Sequence, residues 1–251
     1  MAGPLPIADP APSDGLLPAQ ASVSAESRSF HAYVHIPFCR VRCGYCDFNT
    51  YTATELDGAP QSDYAETLIK EISFSAQVLA QPGIPARNLK SVFFGGGTPT
   101  QLPAKDLVKI LSRLEAEFGL EQGAEVTTEA NPDNVDFEYL SALKAGGFNR
   151  VSFGMQSAVP SVLKTLERTH NPENLPIVIG AAKRAGLATS VDLIYGAPGE
   201  TLDEWRTSLE AAISLDPDHI SAYSLIVEDG TKLARQIRNG QLPESDEDLQ
   251  A

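Results

Sequence analysis

Six short stretches rich in β-branched and aromatic residues alternate with stretches of helical period, and this alternation restricts the fold more than any other feature of the chain. Tyr33–Ile36, Ser91–Phe94, Glu125–Glu129, Arg150–Phe153, Thr189–Ile194 and His219–Leu225 read as strands. Strands joined through helices pair in parallel, and repeated β/α units curl a sheet. Six units fall short of the eight that close a barrel. The pattern therefore predicts an α/β fold, an open partial (β/α)6 barrel with parallel strands inside and helices outside.

The helices carry their own signals. Asp63 and Glu66 have capping-box spacing ahead of an apolar face of Leu68, Ile72 and Val78. Leu107, Leu111, Leu114 and Phe118 follow helical spacing up to Gly119. Phe137, Leu140 and Leu143 form a third face, closed by Gly146-Gly147. A short helix holds Leu163 and Leu166, and a longer one starts after Asn171 with Pro172 in its first turn. Thr201 and Glu204 cap a helix whose inward face is read as Leu202, Trp205, Leu209 and Ile213. A last short helix spans Thr231 to Arg238. Residues 1–29, rich in Pro, Ala and Ser, read as disordered or loosely attached, residues 30–240 as the core domain, and residues 241–251 as an acidic tail contributing little core.

The loops at the strand ends carry the chemistry. Cys39, Cys43 and Cys46, all the cysteines of the chain, lie at C-x3-C-x2-C spacing just after the first strand, where Pro37 ends the ladder. Three thiolates on one loop can grip one compact metal centre and leave a coordination position open, as reactive sites require. Zinc usually takes a fourth Cys or His from a second paired motif, and none is present, so a three-cysteine iron–sulfur cluster fits better than zinc or redox thiols. Gly95-Gly96-Gly97-Thr98-Pro99 follows the second strand. It lacks the lysine of a phosphate loop, so it reads as a close approach to a small polar ligand such as an amino-acid moiety, against a bare tight turn. Glu129, Gln156 and Asp192 lie in or after successive strands and predict a ligand-lined mouth. His35, His170 and His219 stand isolated in sequence and read as structural.

A disulfide framework would more often spread an even number of cysteines, so this clustered odd set indicates a reducing compartment and thiolate ligands. The formal charge of −14 among 251 residues opposes a nucleic-acid groove. The N-terminus lacks a basic and apolar leader, and no apolar run reaches the ~18 residues a membrane helix needs. The chain is expected to be cytoplasmic.

Taken together, Tyr33-Val34-His35-Ile36-Pro37-Phe38-Cys39 with Cys43, Tyr45 and Cys46 resembles the radical S-adenosylmethionine (SAM) superfamily, and within it the oxygen-independent coproporphyrinogen III oxidase-like family. Gly95–Thr100, Glu129-Ala130-Asn131-Pro132, Gly154-Met155-Gln156-Ser157 and Asp192–Gly196 continue the likeness in order. The resemblance implies a radical-SAM barrel with a [4Fe–4S] cluster on Cys39, Cys43 and Cys46, its fourth iron chelated by SAM. It implies that Tyr33 and Tyr45 flank the site and that Gly96, Gly97 and Thr98 contact the methionine portion of SAM. Glu129, Gln156, Arg168, Asp192 and Ile226 match positions lining one or two SAM sites. The reduced cluster would cleave SAM to methionine and a 5′-deoxyadenosyl radical. Porphyrinogen-decarboxylating members carry a further cysteine two residues after the third ligand, where this chain has Phe48. Cys46-Asp47-Phe48 resembles the heme-chaperone (HemW-type) branch instead. That branch implies heme as cargo, an acceptor such as a respiratory haemoprotein, which can be membrane-associated, and a flavodoxin- or ferredoxin-like electron donor. Oxygen-independent coproporphyrinogen III dehydrogenase is the alternative. Family members continue into a C-terminal domain, which would begin about where the acidic stretch lies.

Overall fold

The computed structural model describes residues 15–52, 60–81 and 83–250. Strand β1 (His31–Ile36) leads into a two-residue ribbon of β2 (Phe38–Cys39) and β3 (Tyr51–Thr52), and helix α1 (Tyr64–Leu79) follows. Strand β4 (Leu89–Gly96), helix α2 (Ala104–Phe118), strand β5 (Leu120–Ala130), helix α3 (Phe137–Ala145) and strand β6 (Arg150–Gln156) continue the alternation. Helices α4 (Pro160–Thr165) and α5 (Asn174–Ala185) precede strand β7 (Ala188–Tyr195). Helix α6 (Leu202–Ser214), strand β8 (His219–Ser224), helix α7 (Lys232–Arg238) and the short helix α8 (Glu247–Gln250) follow.

The six long strands form one sheet in the order β1-β4-β5-β6-β7-β8, every pairing parallel. Sequence order and spatial order coincide, as one-handed β/α crossovers produce. Strands β1 and β8 are the edges of this sheet. On one face Val34, Ile36, Val92, Phe94, Val151, Phe153 and Val191 are buried in the core shared with α2, α3 and α5. Period-two alternation turns Tyr33, His35, Thr127, Glu129, Ser152 and Asp192 to the opposite face, which is polar. A second, smaller core joins Val162, Leu166, Ile194, Ala197, Leu225 and Leu233 beneath the cysteine loop, with Tyr45 packed on it.

Several local expectations are corrected. Asp63 makes no side-chain cap, because a 3-10 turn at Gln61–Asp63 puts it in helical φ/ψ. Glu66 pairs with Lys109 of α2 instead. Helix α5 begins at Asn174, two residues beyond Pro172. Phe137, Leu202 and Ile213 are exposed, whereas Leu140, Leu143, Trp205 and Leu209 of the same readings do pack on the core, joined by Ser208 and Ala212. In α6 the rotation follows from Ser208, whose hydroxyl lies 2.8 Å from that of Ser157 and accepts from Ala158 N at 3.1 Å. The Thr201–Glu204 capping box forms as read.

Residues 1–14 of the Pro/Ala/Ser-rich segment lie outside the described residues. Its remainder is held down: Ala25 is buried, and Arg87 Nη1 donates to the carbonyls of Ala25 and Arg28 at 2.8 Å. The acidic stretch also touches the barrel. Leu242 packs on the smaller core, and Gln250 Nε2 donates to the carbonyls of Gly196 and Leu225 at 3.2 Å each.

Candidate metal and cofactor site

The cysteine loop leaves the C-terminal end of β1 and is stitched down by backbone. Tyr51 N donates to Pro37 O at 2.7 Å, which brings the end of the loop back beside its start. In its middle Gly44 N donates to Leu166 O and Gly44 O accepts from Leu233 N, so one glycine ties the loop to the end of α4 and to α7. A Cβ on Gly44 would meet the Glu167 side chain at 3.1 Å. The three cysteines are free thiols, each partly buried, and all three line one cavity of about 180 Å3.

The opposing wall is the turn after β4. Gly97 N donates to Ile36 O at 2.8 Å and Thr98 N to Phe38 O at 2.7 Å. These two amides are therefore spent on the cysteine strand and are not offered to a ligand. The glycine matters for space instead: a Cβ on Gly97 would lie 2.9 Å from Cys39 Sγ and 2.6 Å from Phe38 O. Thr98 Oγ1 lies 3.9 Å from the same sulfur.

Tyr45, Gly96, Gly97, Thr98, Glu129, Gln156, Arg168 and Asp192 share the cavity with the cysteines. Burial raises the Glu129 carboxyl to about 7, with help from the charge of Asp192 and against a hydrogen bond from Gly96 N–H. Burial also raises Asp192, opposed by hydrogen bonds from Ser152 and Ser221. Ser152 Oγ donates to Asp192 Oδ2 at 2.8 Å. Gln156 takes a left-handed φ of 64° at a register shift between β6 and β7, a conformation uncommon for a side chain of this kind. Burial raises the thiols of Cys39 and Cys46 and the hydroxyl of Tyr45, and neighbouring thiolates add to each shift. Arg168 lies among them. Burial is the largest influence and disfavours its charge, but Cys43, Tyr45 and Cys39 together outweigh that and raise its pKa.

A second cavity of about 620 Å3 adjoins the first, sharing Tyr45, Cys46, Phe48, Glu129, Gln156 and Asp192. Ile226 opens only onto this one, together with Tyr223 and Arg150. Phe48 lines both. Tyr33 lines neither: its ring stacks beside Phe93 at 6.3 Å and its hydroxyl lies 3.0 Å from His35 Nδ1.

The donor set suits an iron–sulfur cluster. Among the described residues no trio of His, Cys, Asp or Glu converges as ligands of a single ion do. A four-iron cluster presents its irons at separate corners, so its thiolates need not meet at a point. The lining contains no fourth cysteine and no histidine, and Gly97 keeps the space beside Cys39 Sγ clear.

Sequence reading did not single out Ser152, Arg150, Ser221 or Tyr223. A signal was present, since each is a polar or amphipathic residue at period two on β6 or β8.

Comparison with known proteins agrees with this geometry. The model of the radical SAM superfamily matches residues 33–212. The heme chaperone HemW of Mycobacterium tuberculosis is 42% identical over 223 residues, covering 88% of this chain and 56% of the relative. HemW of Bacillus subtilis is 37% identical, covering 84% and 54%. The chain thus spans about half the length of these curated relatives. Among solved structures, coproporphyrinogen III oxidase (HemN) of Escherichia coli, described as a radical SAM enzyme, superposes with a TM-score of 0.74 at 28% identity, over 91% of this chain and 52% of that one. The radical SAM methyltransferase TsrM of Kitasatospora setae shares the fold at 15% identity and a TM-score of 0.60. The strand-end cysteine loop, the parallel sheet and these matches place the chain in the radical SAM superfamily, with relatives of the HemW type.

Proposed function

We propose that this chain is the cluster- and SAM-binding core of a cytoplasmic heme chaperone of the radical-SAM type, which accepts heme and passes it to an acceptor protein. The observation that carries the reading is the meeting of three free cysteines with Glu129 and the Gly96–Thr98 turn around one cavity. In this reading Cys39, Cys43 and Cys46 hold a [4Fe–4S] cluster, and Gly96, Gly97, Thr98, Glu129, Gln156 and Asp192 receive SAM, with Tyr45 walling the site. When bound, the cluster supplies one electron toward the SAM sulfonium. The chain's own residues do the rest. Glu129, fixed by the Gly96 amide, accepts hydrogen bonds from a ligand ammonium. Asp192 is held in place by Ser152. Phe48 and Tyr45 stand where the two cavities meet and line both. Ile226 and Tyr223 give the larger cavity an apolar rim suited to a further ligand. Tyr33, outside both cavities, supports His35 and thereby the loop.

Heme enters this reading through the similarity to HemW proteins. A flavodoxin- or ferredoxin-like donor supplies the electron, and the acceptor is a haemoprotein, including one at a membrane. No helix among the described residues is long and apolar enough to cross a membrane. The test is anaerobic reconstitution, heme titration and transfer to an apo-acceptor. Transfer supports the reading, and absence of heme binding under reducing conditions sinks it.

The likeness to HemN favours a second reading, oxidative decarboxylation of coproporphyrinogen III. Phe48 opposes it, standing where decarboxylating members carry a cysteine. Formation of protoporphyrinogen IX with SAM and a reductant would reverse the order.

A further inference from the structure

Arg168 is fixed from several sides before any ligand is considered. Its backbone N–H donates to Leu163 O at 2.8 Å, at the end of α4. Its side chain passes across Gly154, where a Cβ would meet Nη2 at 2.7 Å, so a larger residue would push the guanidinium aside. Nη2 then donates to Gly154 O at 3.0 Å, and Nε donates to His170 Nδ1 at 3.2 Å. His170 is 5% exposed and burial lowers it to about 4, so its imidazole is neutral and Nδ1 keeps the lone pair that Nε needs. The third nitrogen, Nη1, is left 3.5 Å from Cys43 Sγ. The same turn of chain is sewn to the cysteine loop through Gly44 N to Leu166 O at 3.1 Å.

We infer that Arg168 is a positioning residue for the cluster: held by Gly154 and His170, it orients the Cys43 thiolate and raises the reduction potential of the cluster that thiolate ligates. The inference rests on the cluster assignment above. The physical cause is electrostatic. Reduction adds a negative charge to the cluster, and a buried guanidinium against a ligand sulfur stabilises that added charge more than the oxidised state. Hydrogen bonds to ligand sulfurs act in the same direction. A guanidinium whose purpose was only to hold a SAM carboxylate would need neither a neutral histidine behind it nor contact with a thiolate.

The test uses the full chain, reconstituted anaerobically and free of SAM, with redox titration followed by absorbance and electron paramagnetic resonance. Arg168→Gln is expected to shift the midpoint potential to a more negative value. Arg168→Lys keeps the charge without the fork and is expected to fall between the two. Loss of iron from Arg168→Gln with native circular dichroism, restored in Arg168→Lys, supports the orienting role. An unchanged SAM-free potential in Arg168→Gln, accompanied by weakened SAM binding, overturns the inference and leaves the cluster assignment standing. Unfolding of both variants assigns Arg168 to fold stability alone and also overturns it. A wild-type chain that takes up no iron overturns the cluster assignment itself.

Discussion

Gly97 and Cys39 are packed so closely that a Cβ on the glycine would stand 2.9 Å from the cysteine sulfur and 2.6 Å from the carbonyl of Phe38. The second clash is with backbone, which cannot rotate away as a side-chain end can.

Gly97→Ala should therefore cost about 1–3 kcal/mol, the usual range for overpacking, and should displace Cys39 from its ligating position. Anaerobic reconstitution is expected to give well below the wild-type iron content, with a lower melting temperature. Iron uptake equal to wild type would show that the turn has slack that the geometry denies.

Cys43→Ala separates metal binding from folding. Cys43 is partly buried and bonds to Arg168, but neither core includes it. The variant should keep native circular dichroism while losing the content of about four irons per chain expected of a reconstituted [4Fe–4S] cluster and the thiolate-to-iron absorbance. Full iron retention would remove Cys43 from the ligand set.

Glu129 gives the site a pH dependence. Its folded-state carboxyl lies at about 7 against an ordinary 4.5. Above the ordinary value the unfolded chain releases this proton while the folded chain still holds it. Stability therefore falls as pH rises from about 4.5 to about 7, by roughly 3 kcal/mol at most. Glu129→Gln should flatten that loss and raise the melting temperature of the ligand-free protein at about pH 8 relative to about pH 5. Binding of SAM should follow the opposite course, tightening as Glu129 ionises, and Glu129→Gln should weaken it at high pH. Melting curves with parallel pH profiles for wild type and variant would contradict the assignment.

Helix α6 offers a test of which face is inward. Ser208 is fully buried against Ser157, whereas Leu202 is 57% exposed. Leu202→Ser should change stability by less than about 0.5 kcal/mol. Ser208→Val leaves the Ala158 amide without its acceptor, removes the contact with the Ser157 hydroxyl, and should cost about 1–3 kcal/mol. Chemical denaturation of the two variants decides the matter, and a reversed order would put Leu202 on the inner face.

Much of the architecture was legible along the chain. The six strands fall where β-branched runs lie, and Gly119 and the Thr201–Glu204 pair end and begin their helices as local chemistry requires. The departures have local causes. Periodicity on a single helix points to Phe137, Leu202 and Ile213, but the burying face of a helix is set by what packs against it. Capping spacing points to Asp63, which the 3-10 turn before the helix takes out of cap geometry. Ser208 turns inward because Ser157 awaits it, and Glu66 leaves its cap because Lys109 of the neighbouring helix attracts it.

The same division runs through the site. Sequence alone marked the candidate groups: three thiols within eight residues sit on one loop, and a glycine run after a strand permits a close approach. Tertiary structure decided what each group does there. Gly97 and Thr98 spend their amides on the cysteine strand, Glu129 is raised because the fold buries it beside Asp192, and Arg168 meets Cys43 across 125 positions of chain. Desolvation and charge pairing depend on which groups share a volume, and only the folded backbone brings residues so distant in sequence into one.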